Sequence, residues 1–578
     1  MARLSGRGAR CSAFHFSHIM RDPRSPIDGT LRRSLLDASL SRRAMLRNGL
    51  AFTGAWAASL ISSRTVVHSD QQIARDGQFD VKAFGAAGLR SQSATAAFQA
   101  AIDACTAAGG GTVRVPPGEH SIGMIQLKDN VTLHLEAGAT LFLVQDSTQF
   151  PQGRRAMVFA ENAANIGVTG RGTLDGLAQY EFVAMRGVDP EIAREIEIAR
   201  AAGVDMRRYY RVGVQAYMFI LNNCRNVLLR DVSIVHSPLW SVRLNDCDRV
   251  HVDGVHIYSD LEKGVNADGI DIVSSQNVTI ANSIIETADD AIVLKSIARN
   301  GQPARPTENI TVTNCVLTSS STALMIGTET EADIRHVLFN NCVIRNSNKG
   351  FGINVQDGAV VSDVIVSNLT IETGRRHWNW WGSAEMCRLV LKKRTPASRL
   401  GVIRDIVVDN VIAHPRGTST IIGHADQAIE NIRLSNVDMT MLPENAPDKR
   451  ATHALHLEQV RGAQIRNLSV RWSGTLVEPK WQSALMLRRV SEFDIENFTG
   501  RQGLVAERFA AIVLDETGHG MIRNARATDG CRRLIHVQGP GTTDITVTGS
   551  RMPAGRGPAV TFETDDLRRK VRVRDTEG

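Results

Sequence analysis

The sequence predicts an all-β protein: a single-stranded right-handed parallel β-helix with an N-terminal helical cap. Three observations predict it. A degenerate repeat of short alternating strands runs through most of the chain. Asn, Asp and Gly punctuate that repeat at like places. Aromatic residues are scarce, at 5%, while Gly is plentiful, with 48 among 578 residues, which favours short strands and turns over a helical bundle.

From Asn222 onward each unit reads as a polar residue, a β-branched alternating run, an Asn or Asp, then two more apolar residues. Residues 226–234, 249–257 and 277–285 are examples, and further copies start at Asn309, His336, Asp363, Asp405 and Asn431. Their starts are spaced 23, 28, 32, 27, 27, 42 and 26 residues apart. Weaker copies continue at Gln464, Glu492 and Met521. Strict alternation over four to six residues signals strands, and the Asn/Asp/Gly positions signal turns. A period in the twenties with several strands per unit implies stacked coils. A leucine-rich horseshoe has a similar period, but its Leu spacing is missing and Val and Ile dominate. Coils stacked at strand spacing give a long rigid face suited to an extended polymer.

The helical cap is read from residues 79–118. Phe79–Gly88 leads into a helical pattern from about Thr95 to Ala108, and Gly109–Gly118 opens the first strands. A helix there would cover strand edges that otherwise stay unpaired. Residues 177–213 break the repeat, with a surface-helix pattern from Glu191 to Ala201. The expectation is an inserted loop that walls one side of a groove. The division is therefore an export segment and disordered N-terminus over 1–65, and a β-helix catalytic domain over 66–578.

The formal net charge is +7, but residues 1–65 carry eleven Arg against three Asp, so the remainder is near −1. No basic patch is left to capture a nucleic acid. Ser41-Arg42-Arg43-Ala44-Met45-Leu46-Arg47 reads as a twin-arginine signal, followed by a short apolar stretch from Gly49 to Ile61. Ala55-Trp56-Ala57 is the small-x-small cleavage candidate, and Met20 an alternative start. The expected location is periplasmic or secreted, with no membrane span and a monomeric chain. Eight cysteines are too few for a disulfide scaffold and show no zinc spacing, so neither metal nor cofactor is expected. Cys224 with Cys247, and Cys315 with Cys342, occupy like positions in neighbouring units and should stack as small buried residues.

Two segments carry chemistry: Gly264-Val-Asn-Ala-Asp-Gly-Ile-Asp271 and Ala288-Asp-Asp-Ala-Ile-Val-Leu-Lys-Ser296. Asp289 follows Asp268 by one coil, so Asp268, Asp289 and Asp290 should cluster on one face at a strand spacing of about 4.8 Å. Hydrolysing a glycosidic bond needs a protonated acid at the leaving oxygen and a base for water. Mutual repulsion raises at least one carboxyl and supplies the acid. A lone Asp in a coil is more often a turn cap, and clustered carboxylates also suit calcium. Asp271, three positions after Asp268, points to the other face in an extended run and reads as structural or as a supporting residue behind the site.

These segments, together with Gly138-Ala-Thr-Leu, Gly170-Arg-Gly-Thr-Leu-Asp-Gly176 and Ser237-Pro-Leu-Trp240, resemble glycoside hydrolase family 28, the polygalacturonase family. The likeness runs from about Phe79 to at least Gly358. It implies an inverting glycosidase with Asp289 as general acid, Asp268 and Asp290 activating water, and Asn266 positioning a carbohydrate substrate. The chain departs from the family at three places. Where the family has Gly-His-Gly, this chain has Gly327-Thr-Glu329, which makes Glu329 a candidate binding group. Gly352 and Asn354 stand where the family's uronate-binding Arg and Lys would be; Lys295 or Lys349 is a candidate replacement. Ala267 and Ala291 replace a usual Thr and Cys, as packing changes. A Trp-rich insertion, His377–Glu385, offers Trp380 and Trp381 as sugar platforms and Glu385 as a hydroxyl acceptor.

The implied function is hydrolysis of pectic-type polysaccharides or oligosaccharides. The alternatives are a neutral-sugar hydrolase, such as a rhamnosidase or rhamnogalacturonan hydrolase, a β-helix lyase, and a non-catalytic glycan-binding β-helix.

Overall fold

The computed structural model describes residues 74–75, 77–180, 182–184, 190–201, 203, 210–376, 382–474, 477–505, 508–553 and 555–576. The predicted export segment lies outside these residues, as do Trp380 and Trp381. The described residues all fall in one unit, Thr65–Gly578.

Alternating apolar runs fold as short strands that pair in parallel with the same strand of the next coil. One coil contributes Val242–Asn245, Asp248–Asp253 and His256–Tyr258; the next contributes Ile270–Val273, Gln276–Ala281 and Ile284–Thr287. Each of the three pairs in register with its counterpart. The front stack carries the site. Its strands are β1 (Val242–Asn245), β2 (Ile270–Val273), β3 (Ile292–Ser296), β4 (Thr322–Thr330), β5 (Lys349–Val355), β6 (Glu385–Leu391) and β7 (Ser419–Ile422). Each is hydrogen-bonded in parallel to the next.

The core is a set of stacked apolar columns. Ile270, Ile292, Leu324 and Phe351 lie over one another in register, each buried. Burying a side chain of this kind stabilises by about 1.5–3 kcal/mol. Cys224 and Cys247 pack against each other, as do Cys315 and Cys342. All described cysteines are buried free thiols.

The repeat starts turn out to be backbone positions of one kind. Asn226, Arg249, Asn277, Asn309, His336, Asp363, Asp405 and Asn431 all have φ between 54° and 61°. Asn and Asp tolerate this left-handed conformation better than other side-chain-bearing residues. A second row of left-handed Asn residues forms a ladder: Asn410 Nδ2 donates to Asn368 Oδ1 at 2.7 Å, Asn436 Nδ2 to Asp409 Oδ1 at 2.9 Å and Asn467 Nδ2 to Asn436 Oδ1 at 2.8 Å. The punctuation seen in the sequence is thus both the turn and its coil-to-coil bond.

Two segments lie outside this pattern. The predicted helix near Thr95 folds as α1 (Thr95–Ala107), with Phe98, Ala101, Ile102 and Cys105 buried. Gln99 Oε1 accepts from the Gln126 amide at 2.8 Å and Thr95 Oγ1 from the Gly123 amide at 2.8 Å, tying α1 to the first coils. Between Asp175 and Tyr217 the chain makes an antiparallel pair, Phe182–Ala184 with Tyr210–Val212, and a helix, α2 (Pro190–Ala201). Among the described residues no helix is long and apolar enough to cross a membrane.

Asn436→Ala should destabilise the protein by about 2 kcal/mol, from left-handed strain of about 1 kcal/mol and lost ladder bonds of about 1 kcal/mol. Asn436→Gly should recover the strain part alone. Urea midpoints of the three proteins check this; equal midpoints for Ala and Gly would remove the backbone explanation.

Candidate active site

Parallel register places residues from successive coils in columns on the outer face of the front stack. Thr322 pairs with Lys349, and Lys349 with Glu385. The same register, carried two residues before β2 and β3, sets Asp268 against Asp290, and the backbone bonds follow it. The Gly269 amide donates to Asp290 O at 2.9 Å, the Ala291 amide to Thr322 O at 2.9 Å and the Ser241 amide to Asp268 O at 2.8 Å. One column therefore reads Trp240, Asp268, Asp290, Thr322, Lys349, Glu385. Gly269 is required where the coils approach: a Cβ there would lie 2.3 Å from Ala291 O. Asp268 stacks on Asp290, with Asp289 beside it.

The three carboxylates converge as expected, each offering an oxygen within 4.8 Å of the others. Their exposures are 3% for Asp268, 6% for Asp289 and 9% for Asp290. Asp290 Oδ1 accepts from Ser321 Oγ at 2.8 Å and from the Thr322 amide at 3.0 Å. Asp289 Oδ1 accepts from the Asp290 amide at 2.9 Å. Asp268 Oδ1 is buried without a hydrogen-bond partner. Burial, and then the charge of Asp290, push the Asp289 carboxyl up to about 7, against the opposing pull of Lys295. Burial, followed by Asp271 and Asp289, raises Asp268 well above the carboxylate range. The cluster therefore holds protons into the neutral range, which a general acid requires.

Asp271 is fully buried and both its oxygens lack hydrogen-bond partners. Its nearest counter-charge is Lys295, whose Nζ lies 3.9 Å from Asp271 Oδ1. The same ammonium donates to Glu329 Oε2 at 3.0 Å and sits 4.6 Å from the Trp240 ring centroid. Burial alone would lower Lys295, but Glu329, Asp271, Asp268 and Asp290 together raise it above its usual value. Lys295 holds Glu329 below the usual range against the effect of burial. Asp271, read from its sequence offset as structural or supporting, is part of the charge balance of the cluster.

The remaining predicted residues are spread around this centre. Asn266, in left-handed conformation, lines a cavity of about 270 Å³ together with Tyr217, Trp240, Pro238 and Val265. Asn354 Oδ1 is buried and unpartnered. Glu385 is 2% exposed, accepts from the Ser383 amide, and has Arg388 NH1 at 4.0 Å. Sequence reasoning missed Arg243, which donates to Tyr217 Oη at 3.2 Å and lies 4.9 Å over the Trp240 ring. It also missed Ser321, Thr322 and Arg388. A signal existed: Arg243 follows Trp240 by three, as Asp271 follows Asp268, Gly352 follows Lys349 and Arg388 follows Glu385. A coil-aligned reading would have put Arg243, Asp271, Gly352 and Arg388 in one column, and Thr322 in the column of Asp268 and Asp290. Asp268, Asp289 and Asp290 are also the described group that could gather round a cation, though a hard ion would demand six to eight oxygens and compete with Lys295 for their charge.

A family model, Glycosyl hydrolases family 28, matches residues 105–444, more than half of the chain. The exo-poly-alpha-D-galacturonosidase of Dickeya chrysanthemi is 25% identical over 300 residues, 45% of this chain and 49% of that one. An endo-polygalacturonase of Pectobacterium carotovorum subsp. carotovorum is 25% identical over 279 residues, 42% of this chain and 66% of that one. The chain thus spans about half to two thirds of these relatives. The crystal structure of an exopolygalacturonase from Thermotoga maritima superimposes with a TM-score of 0.53 at 21% identity, covering 71% of this chain and 96% of that one, a likeness of fold.

Two outcomes are expected of the charge cluster. Asp289 titrates near 7 in the fold against 3.8 for an ordinary Asp, so the proton it retains stabilises the fold fully below about pH 3.8, and that stability is lost as pH rises through about 7. Stability measured against pH should show this slope, and Asp289→Asn should flatten it. Lys295→Met should destabilise by about 3 kcal/mol or more, as breaking a buried pair does, and move the carboxyl titrations to higher pH in infrared difference spectra. Unmoved titrations would remove Lys295 as their counter-charge.

Proposed function

The chain belongs to family 28 of the glycosyl hydrolases, and on that premise we propose that it hydrolyses glycosidic bonds in pectic-type polysaccharides or oligosaccharides. The observation that carries the reading is the convergence of Asp268, Asp289 and Asp290 within 4.8 Å, with Asp289 pushed up to about 7. Asp289 is the general acid: still protonated near neutrality, it gives its proton to the leaving glycosidic oxygen as the C–O bond breaks. Asp290, held by Ser321 and the Thr322 amide, acts with Asp268 on the attacking water and takes its proton. Asn266 and the Tyr217–Trp240 pair hold the sugar on the side of the 270 Å³ cavity. Inversion is proposed from family membership; the carboxyl spacing is below the 6.5–9.5 Å usual for an inverting pair.

Three further readings go with this one. α1 caps the N-terminal end of a right-handed β-helix, supported by its buried face and its bonds to the first coils. The 177–213 insertion walls one side of the groove, supported by Gln215 and Tyr217, which follow it directly and line the cavity. The twin-arginine motif at Arg42-Arg43 directs the 66–578 domain out of the cytoplasm.

Asp289→Asn and Asp268→Asn should each lower kcat by about 10²–10⁴-fold with folding intact, the range of a general acid or base. In the parent, kcat should fall as pH rises above about 7, where the acid loses its proton. Rates and products on pectic and hemicellulosic oligosaccharides test the reading. A loss below tenfold, about 1.4 kcal/mol, would overturn the assignment of these acids, and glycan binding without turnover would overturn the reading in favour of a binding module.

A further inference from the structure

Asp289 and Asp290 are neighbours in sequence and in space, yet acid–base chemistry needs a proton on one and not on the other. Two like acids side by side hold a first proton between them, and their surroundings decide where it rests. Those surroundings differ. Asp289 Oδ1 accepts from the Asp290 amide at 2.9 Å, a bond made within the pair itself. Asp290 Oδ1 accepts from the Thr322 amide at 3.0 Å, a bond from the next coil. Ser321 Oγ donates to Asp290 Oδ1 at 2.8 Å but also lowers Asp289, so it serves both acids.

Lys349 follows Thr322 in the same column. It is buried, and its ammonium donates to Thr322 Oγ1 at 3.2 Å. Its stem packs across bare Gly352, where a Cβ would meet Lys349 Cδ at 3.3 Å. Glu385 is the next residue of the column. Burial lowers the Lys349 ammonium; Glu385, then Asp290 and Asp289, oppose this, and Arg388 adds to it. Of the two adjacent acids, Asp290 therefore acts on Lys349 more strongly than Asp289 does. Lys295 does not separate the pair in this way. It couples to Glu329, Asp271 and Asp268 ahead of Asp290, and it also pulls on Asp289.

We infer that Lys349, acting through Thr322, is a positioning residue that decides which of the two neighbouring acids keeps the proton, leaving it to Asp289 and keeping Asp290 as the base. Its ammonium touches neither the acids nor the reacting atoms; it acts as a fixed charge on the Asp290 side, in a site where little water screens it. This role rests on the reading of Asp289 as acid and Asp290 as base. The charged groups facing Asp290 are Asp268 and Asp271 from the coil before, Asp289 beside it, Lys295 of its own coil with Glu329 behind, and Lys349 beyond Thr322 with Glu385 and Arg388 behind.

Infrared difference titrations of the resting protein, without substrate, follow the buried carboxyls through neutral pH. Lys349→Met should move them up by about one pH unit, as removal of a nearby opposite charge does, and Lys349→Arg should return them toward the parent. In the Asp290→Asn background the Lys349→Met shift should fall below half, and in Asp271→Asn it should persist, because coupling appears only between residues that interact. Thr322→Val keeps the amide bond to Asp290 and should move the titration the same way by less; it carries the test if melting curves show Lys349→Met unfolded. On the pectic oligosaccharides of the screen, the acid limb of kcat/KM should move up in Lys349→Met while KM stays within about twofold. Unmoved titrations in both variants, an equally large shift in Asp290→Asn, or a raised KM with an unmoved limb overturns the inference. The hydrolase reading is judged apart, by product release from those oligosaccharides; a parent without turnover would sink that reading and leave the titrations to judge Lys349.

Discussion

The parallel backbone ladder between coils is the constraint on which everything else in this protein depends. Each coil sits one strand spacing, about 4.8 Å, from the next, and the in-register pairing of β1 through β7 fixes which residues meet. Residues far apart in sequence become near neighbours in one column. The same ladder sets the apolar columns inside and the Asn columns at the turns. A single hydrogen-bonding pattern therefore supplies stability, turn geometry and a rigid outer face. A site built on such a face needs no induced fit to bring its groups together.

That rigidity has an electrostatic consequence. Asp268, Asp271, Asp289 and Asp290 cannot spread apart, and three of them are 6% exposed or less. Carboxylates held close with little water retain protons. Lys295 offsets part of the charge and is itself tied to Glu329 and Asp271. The result is a proton-holding acid, Asp289, next to a hydrogen-bonded carboxylate, Asp290. Along the columns, Tyr217 and Trp240 lie on coils before the acids, and Lys349 and Arg388 on coils after them.

The turn rows and the site draw on different residue chemistry. Turn positions accept Asn, Asp, Arg or His at φ near 55°, so their identity varies while their spacing persists. The site tolerates less variation. Gly269 must lack a side chain because Ala291 O passes close by, and Gly352 is bare where the Lys349 stem crosses.

The sequence by itself determined the coils, since alternation and turn residues act over a few positions and depend little on the rest of the chain. It located Asp268, Asp289 and Asp290 because two motifs a coil apart must stack in any β-helix. It also set the spans of α1 and α2 to within a residue or so. It could not assign Asp271, because a rule for extended strands says which face a side chain leaves from and not what covers it. Nor could it say what Lys295 and Lys349 would pair with. Both follow the acids in sequence, but one is drawn down to Glu329 and Asp271 while the other crosses Gly352. Register, burial and the competition among charges for one ammonium are properties of the stacked coils, so only the tertiary structure decided them.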